Sequence, residues 1–146
     1  MLVNRTFKMF GEEAELRFML KAFEQGIRVT KPFGDSMPYD FIADGGCGLR
    51  RVQVKSSWYR ARGRYSVQCV RGTSRRRYDR DQIDILAAFV EPYGAWYIIP
   101  VKALTGSNSL TFSPDLPTHK GRWEKYREAW HLLRPPDLGV EDAGRE

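Results

Sequence analysis

The sequence predicts an α/β fold, because one amphipathic helical pattern precedes a series of short β-rich runs separated by turn signals. The chain has 146 residues, of which 42% are hydrophobic and 13% aromatic. That length suits one domain with a substantial core. We therefore expect a single domain over residues 1–134. Residues 135–146 begin with two prolines and are otherwise mostly polar, so we expect them to form a C-terminal tail.

The first predicted element is an amphipathic helix over residues 10–25. Phe10, Ala14 and Phe18 recur at four-residue spacing among charged residues, and Gly26 follows as a stop signal. Strands are expected to follow the helix. In chain order the candidate strands are residues 27–30, 39–44, 49–56, 65–70, 83–90 and 96–101.

Turn residues separate these runs. A glycine-rich reversal at residues 45–48 joins the second run to the third, and Glu91–Gly94 joins the last two. A Gly/Ser/Asn loop at 106–109, followed by Pro114 and Pro117, indicates irregular structure, and the sheet is expected to end near there. A second helix is predicted over 121–133, where Trp and Tyr residues and Leu133 recur at three- and four-residue spacing.

Positive charge is concentrated in one segment. The formal net charge is +6, yet residues 50–80 hold eleven Lys or Arg and one acid, and the rest of the chain is net negative. Most of these cations are arginines, whose planar guanidinium offers paired donors to phosphate oxygens. Nucleic acid is therefore the expected partner, and a solvated basic face without a ligand is the alternative. The expected contact residues are Arg60, Arg62, Arg64, Arg71, Arg75, Arg76, Arg77 and Arg80.

Cysteine usage and hydropathy restrict the protein class. Cys47 and Cys69 lack the paired spacing of a zinc site and the density of a disulfide scaffold, so we expect ordinary reduced thiols. The N-terminus has no apolar signal segment, and no run approaches the roughly 18 apolar residues of a membrane span. We expect a cytoplasmic protein without a membrane partner.

The glycine-rich reversal also predicts a hairpin register. If the turn centres on Gly46 and Cys47, Asp44 lies opposite Leu49 and Asp40 lies opposite Gln53. Side chains alternate faces along a strand, so Asp40, Gln53 and Lys55 share one face. A slip of one residue would move Gln53 and Lys55 to the other face. Opposed residues have Cβ atoms about 5 Å apart.

These residue types suit metal-assisted hydrolysis of a phosphodiester. Asp40 and the Gln53 amide offer oxygen ligands to Mg²⁺, with Mn²⁺ as the alternative cation, and the Val54 main-chain carbonyl could add another. Lys55 would stabilise developing negative charge, and could orient or deprotonate the attacking water if its pKa is lowered. The alternative is that these residues are polar positions on a solvent-facing sheet surface without a catalytic role.

Three observations favour the site over that alternative. Glu15 shares a helical stripe with apolar residues, so its charge needs a partner, which could be the metal or a salt bridge. The arginine-rich segment begins on the strand that carries Lys55. Aromatic residues interleave with the arginines and could pack against sugars or bases, although core packing is favoured for Tyr65. These aromatic residues are Trp58, Tyr59, Tyr65 and Tyr78.

At these residues the chain resembles the PD-(D/E)XK nuclease superfamily, and more narrowly its glutamine-containing branch, which includes group I intron homing endonucleases. The resemblance covers roughly residues 8–101. It rests on the following segments in order: Gly11 with Glu15, Pro32–Asp35, Tyr39 with Asp40, Arg51–Lys55, Tyr78, Ile83 with Asp84, and Tyr97–Pro100. The chain departs from the superfamily's name in having Tyr39 before Asp40 and Gln53 where an acid is commoner.

The resemblance implies a restriction-endonuclease-like core, in which a central mixed β-sheet is flanked by helices. It implies Glu15, Asp40, Gln53 and Lys55 as catalytic residues, and a metal held by Glu15, Asp40, Gln53 and Val54. The implied activity is metal-dependent cleavage of double-stranded DNA. A non-catalytic DNA-binding module and a structure-selective or RNA-processing nuclease remain alternatives.

Three further expectations concern quaternary structure and other polar residues. Cutting both strands of a duplex implies a homo-oligomer, a dimer or a tetramer, by symmetry. Asp84 follows a turn and precedes a buried run, so we expect structural hydrogen bonding from it. His119 and His131 are isolated in the sequence and are given no catalytic role.

Overall fold

The computed structural model describes residues 4–71, 75–117 and 120–135 of the chain. It contains one α-helix and nine strands within these ranges. Their bounds are α1 Phe7–Glu24, β1 Arg28–Thr30, β2 Phe41–Asp44, β3 Leu49–Ser57, β4 Tyr65–Gln68, β5 Val70–Arg71, β6 Arg76–Arg77, β7 Ile85–Val90, β8 Ala95–Pro100 and β9 Ser109–Phe112. The predicted tail lies outside the described residues apart from Pro135, and His119 also lies outside them.

The centre of the fold is a five-stranded sheet in the order β1-β2-β3-β7-β8. Strands β3 and β7 are parallel, with Val52 opposite Ile85, and the other neighbours are antiparallel. The predicted mixed central sheet is therefore confirmed. No helix of the described residues is long and apolar enough to cross a membrane.

Helix α1 covers one face of this sheet. The Thr6 side chain accepts a hydrogen bond from the Met9 N–H at 3.2 Å, so this cap starts the helix three residues earlier than predicted. Ala14, Phe18 and Ala22 are buried on one side of the helix. They pack against the apolar side chains that β2, β3, β7 and β8 direct to this face. The helix thereby gains most of its stability from tertiary packing.

The opposite face of the sheet is covered by strands, where the prediction expected flanking helices. Strand β4 pairs with β9, and β5 pairs with β6. The buried side chains of β4 and β9 pack on Leu86, Ala88 and Tyr97 of the central sheet. Strand β9 lies where irregular structure was expected, so that expectation was wrong. Leu110 and Phe112 of β9 are buried and alternate with the less buried Ser109 and Thr111. They complete this second core layer.

The predicted second helix over 121–133 is also wrong. The segment forms two short 3-10 turns, Glu124–Tyr126 and Trp130–Leu132. Between them Glu128 adopts a left-handed φ of 52°. Its N–H donates to the Trp96 carbonyl at 2.7 Å, and its carboxylate accepts from the Trp96 N–H at 3.0 Å. The segment therefore supplies hydrogen-bond partners for the main-chain groups of Trp96 at the free edge of β8, and it does not continue as a helix.

Candidate active site

The hairpin of β2 and β3 has the predicted register. Asp44 lies opposite Leu49, and Phe41 lies opposite Val52. Strand β2 begins at Phe41, but the Asp40 N–H still donates to the Val52 carbonyl at 2.8 Å. This bond is one residue out of the register of the hairpin, so the regular pairing ends at Phe41 and Val52, and the predicted pairing of Asp40 with Gln53 is not part of the ladder. Val52 and Val54 face the core beneath α1, so Gln53 and Lys55 point to the other face.

The Asp40 carboxylate is fixed by the main chain of β3. Its Oδ2 accepts a hydrogen bond from the Val54 N–H at 2.8 Å. Burial raises the pKa of Asp40 to about 6; the Val54 hydrogen bond opposes the rise, while the negative charge of Glu15 adds to it. The positive charges of Lys31 and Lys55 also act on this carboxylate and lower its pKa. The Asp40 carboxylate therefore interacts with the charges of Glu15, Lys31 and Lys55.

Gln53 and Val54 form a contact that the sequence did not predict. The Gln53 amide nitrogen donates to the Val54 carbonyl at 3.2 Å. This bond uses one of the two acceptor positions of that carbonyl. The Val54 carbonyl that was predicted as a metal ligand therefore already accepts a side-chain hydrogen bond.

Lys55 lies in an enclosed and partly aromatic environment. Its Nζ is 5.5 Å from the centre of the Tyr78 ring. Burial lowers the pKa of Lys55, while the negative charge of Asp40 raises it. Burial also raises the pKa of Tyr78 to about 12 and that of the Cys69 thiol to about 11. Both neighbours are therefore neutral at physiological pH, and Asp40 is the carboxylate that balances Lys55.

Glu15 reaches this cluster from helix α1 together with a lysine that sequence reasoning missed. The Lys31 ammonium forms a salt bridge with the Glu15 carboxylate at 2.9 Å. The same ammonium lies 5.2 Å from the centre of the Phe41 ring, next to Asp40 in the chain. Nothing in the spacing of Lys31 marks it, because its approach depends on how β1 packs against α1.

The donor set fits a hard divalent cation. It comprises the carboxylates of Glu15 and Asp40, the amide oxygen of Gln53 and the carbonyl of Val54, which are the oxygen ligands that Mg²⁺ and Mn²⁺ accept. Within the described ranges no group of three or more His, Cys, Asp or Glu residues could hold a metal ion.

The arginine-rich segment contains both exposed and anchored side chains. Arg71 is half-buried and donates to the Ser36 carbonyl at 2.8 Å, which ties β5 to the loop before Asp40. Arg77 donates to the Asn108 side chain at 2.7 Å. Arg60 and Arg76 form loose ion pairs at 3.4 Å with Asp115 and Asp79. The predicted arginines that are exposed are Arg60, Arg62, Arg64, Arg75, Arg76, Arg77 and Arg80.

Asp84 has the structural hydrogen bonds that its position predicted. Its carboxylate accepts from the Arg51 main-chain N–H at 2.7 Å and from the Arg51 guanidinium at 3.1 Å through both oxygens. The same guanidinium donates to the Arg80 and Asp81 carbonyls. Hydrogen bonding to Arg51 lowers the pKa of Asp84 against the effect of burial. Arg51 is therefore a structural member of the basic segment.

The interleaved aromatic residues have different environments. Tyr65 is buried in the second core layer, as favoured, and Tyr78 is buried beneath Lys55. Trp58 stacks on Phe10 of α1 with ring centres 4.0 Å apart, and Tyr59 is exposed. Among these four, Tyr59 is the ring with most surface left for a ligand.

Comparison with known proteins decides the family. A family model described as PD-(D/E)XK endonuclease matches residues 6–133. The chain belongs to the PD-(D/E)XK endonuclease family. The match extends beyond the region of resemblance seen in the sequence and includes all four candidate catalytic residues. No curated protein matches the chain.

Two solved structures are similar to this PD-(D/E)XK endonuclease. The bacterial homing endonuclease I-Ssp6803I is 33% identical, with a TM-score of 0.76 over 88% of this chain and 93% of that chain. Hjc, a Holliday junction resolvase from the archaeal hyperthermophile Archaeoglobus fulgidus, is 14% identical, with a TM-score of 0.48 over 72% of this chain and 89% of that chain.

Proposed function

We propose that this PD-(D/E)XK endonuclease hydrolyses phosphodiester bonds in double-stranded DNA with Mg²⁺, with Mn²⁺ as a substitute. One observation carries the proposal. Glu15, Asp40 and Lys55 interact electrostatically at one end of the β2–β3 hairpin, next to an arginine-rich segment. Family membership supports the reaction class. The similarity to a bacterial homing endonuclease, at 33% identity, supports DNA as the substrate.

The roles of the chain's residues follow from their chemistry. Glu15, Asp40, Gln53 and Val54 would hold the cation, which when bound supplies positive charge against the developing phosphate charge and acidifies water. Asp40 is fixed by the Val54 N–H, so it needs little reorganisation. The Lys55 ammonium would stabilise the negative charge that builds on the attacked phosphate. It could also orient the attacking water, and the lowering of its pKa by burial favours proton acceptance from that water.

The exposed arginines would bind the DNA backbone. Ion pairs at 3.4 Å between exposed side chains are weak. Arg60 and Arg76 can therefore exchange their carboxylate partners for phosphates at little cost. Phosphate binding of this kind is independent of sequence and decreases steeply with salt.

Plasmid cleavage tests the catalytic assignment. The variants Glu15→Ala, Asp40→Ala and Lys55→Ala should each lose roughly 100-fold or more of the Mg²⁺-dependent cleavage rate. Matched controls are Glu12→Ala, an exposed acid on the same helix, and Lys102→Ala, an exposed lysine away from the site. Both controls should cut at the wild-type rate. Wild-type cleavage by Asp40→Ala and Lys55→Ala would overturn the assignment.

Two further measurements separate the alternatives. Salt-sensitive DNA binding by the wild type without any cleavage in Mg²⁺ or Mn²⁺ would instead identify a non-catalytic DNA-binding module. Side-by-side digestion of linear duplex, branched DNA and RNA defines the substrate. We expect the linear duplex to be cut, and preferential cleavage of branched DNA or RNA would overturn that part of the proposal.

We further propose that two copies of the chain act together, since each chain carries one site and a duplex has two strands. Helix α1 exposes an apolar stripe of Leu16, Met19, Leu20 and Phe23 at helical spacing. An isologous interface of this kind gives a closed dimer, and two dimers give a tetramer.

Solution mass and cleavage products test this assembly. Leu20→Glu places a charge in the stripe and should convert the oligomer to monomer, as light scattering would show. Double-strand cuts should then give way to single-strand nicks. The control Leu116→Glu changes an exposed leucine outside the stripe and should leave both readouts unchanged. A wild-type monomer, or an unaffected Leu20→Glu oligomer, would contradict the proposed interface.

A further inference from the structure

A cavity of about 340 Å³ opens beside Lys55. It lies between the start of α1, the end of β3 and the strand β4, on the side of Lys55 away from the core beneath α1. Phe7, Lys55, Tyr59 and Arg64 are among its lining residues. Its volume is at the lower end of the range of small-molecule sites. The cavity is therefore continuous with the candidate active site but is larger than a phosphate group requires.

One wall of the cavity is a packed group of aromatic rings. Trp58 stacks face to face on Phe10, with ring centres 4.0 Å apart and planes 7° from parallel. Tyr59 packs edge-on against Trp58 with ring centres 4.6 Å apart. The centre of the Phe7 ring lies 5.5 Å from that of Trp58. Phe7 is nevertheless 77% exposed and Tyr59 55% exposed. The rings are held in place by one another yet leave apolar surface open to solvent.

The remaining walls are polar and cationic. Lys55 lies at one end, Arg64 directly precedes β4, and Ser66 and Gln68 belong to that strand. The amide of Gln68 offers both a donor and an acceptor, and the guanidinium of Arg64 stays charged. An open aromatic wall, an amide edge and nearby cations together match a flat heteroaromatic ring that is attached to phosphate.

We propose that this cavity binds one unstacked nucleobase of the DNA strand being cut, adjacent to the phosphate that Lys55 faces. The inference rests on the proposed nuclease function. Tyr59 and Phe7 would contact the face of the base, Gln68 would meet its edge, and Arg64 would bind the neighbouring phosphate. Because removing a base from the stack is unfavourable, cleavage should favour positions where that base is mismatched or at a flexible step.

Tryptophan fluorescence tests base binding directly and without catalysis. In the presence of EDTA, the protein is titrated with dAMP and, separately, with 2-deoxyribose 5-phosphate, which lacks the base. Trp96, Trp123 and Trp130 are buried, so Trp58 should report the cavity, and Trp58→Phe should remove the response. We expect saturable quenching by dAMP only. Equal quenching by the sugar phosphate, or no quenching by either ligand, would overturn the proposal.

Variants locate the binding and connect it to cleavage. Tyr59→Ala should weaken dAMP binding by roughly 5- to 150-fold, the range expected for one lost stacking contact. Phe33→Ala, which changes a fully exposed aromatic outside the cavity, should have no effect. Tyr59→Ala should also raise KM for duplex DNA, and a mismatch at the mapped cut position should lower it.

The two proposals fail in different ways. If Tyr59→Ala cuts DNA with the wild-type KM, the cavity has no role in substrate binding and the nuclease assignment stands. If the wild type binds dAMP through Trp58 but cuts no nucleic acid, the proposed nuclease function is overturned. The placement of the base beside a cut phosphate then falls with it.

Discussion

The carboxylate of Asp40 accepts a hydrogen bond from the main-chain N–H of Val54 at 2.8 Å. The carboxylate thus takes the place of a strand carbonyl and extends the β2–β3 ladder by one bond. Since Val54 lies between Gln53 and Lys55, this single contact fixes the acid relative to both neighbours. The side chain is oriented before any ligand binds, but its charge is held in a largely enclosed position.

Asp40→Asn should separate stability from activity. The asparagine amide oxygen can keep the Val54 hydrogen bond without the buried charge. The folded pKa of about 6 lies above the ordinary 3.8, so ionisation of Asp40 destabilises the folded state above pH 6, and this cost disappears as the pH falls toward 4. At pH 8 without metal, the free energy of unfolding of the variant should exceed that of the wild type by roughly 2 to 3 kcal/mol.

Chemical denaturation at pH 8 and pH 4 measures this difference, which should shrink at the lower pH. Plasmid cleavage by Asp40→Asn should fall roughly 100-fold or more. The exposed Asp35→Asn is the matched control and should change neither quantity. A variant that is less stable than wild type at pH 8 would show that the Asp40 charge is stabilised by its lysine neighbours after all.

The pH dependence of cleavage should have an acid limb near pH 6. Protonated Asp40 cannot hold a cation, so at low Mg²⁺ the single-turnover rate should fall about tenfold per pH unit below its pKa of about 6. Higher Mg²⁺ should move this limb to lower pH, because the cation competes with the proton. If Lys55 acts as a cation, the rate should fall again at alkaline pH, and because burial lowers the pKa of Lys55, this second fall should begin below the ordinary lysine pKa of 10.5. An acid limb that does not respond to Mg²⁺ would contradict this account.

The hairpin could be predicted because its causes are local. Alternation fixes which residues share a face, and Gly46 and Gly48 adopt positive φ in the turn. Gly45 has a different reason: a Cβ there would collide with the Leu133 main chain. That contact joins residues far apart in sequence. A contact between residues far apart in sequence also explains why the predicted helix at 121–133 is wrong, because Glu128 is hydrogen-bonded to Trp96 at the edge of β8.

Lys31 should weaken cation binding by competing for Glu15. Its ammonium is 2.9 Å from the Glu15 carboxylate and also acts on Asp40. In Lys31→Met the carboxylates lose this cation, so the DNA-free protein should bind Mg²⁺ several-fold more tightly by calorimetry. The pKa of Asp40 should also rise further. Lys102→Met is the control for loss of one surface charge and should bind Mg²⁺ as wild type does. Weaker Mg²⁺ binding by Lys31→Met would show that Lys31 instead positions Glu15 for the metal.

Arg62 and Arg80 should contribute to DNA affinity through phosphate contacts alone. Both are exposed, and within the described ranges neither side chain forms an ion pair. Replacing both by Ala should reduce the slope of log affinity against log salt by about 1.8, at about 0.9 per phosphate contact. The loss should be the same for unrelated DNA sequences, because phosphate contacts carry no sequence information. Arg122→Ala, an exposed arginine outside the segment, should leave the slope unchanged. A slope that is unchanged in the double variant would place the DNA on another face of the protein.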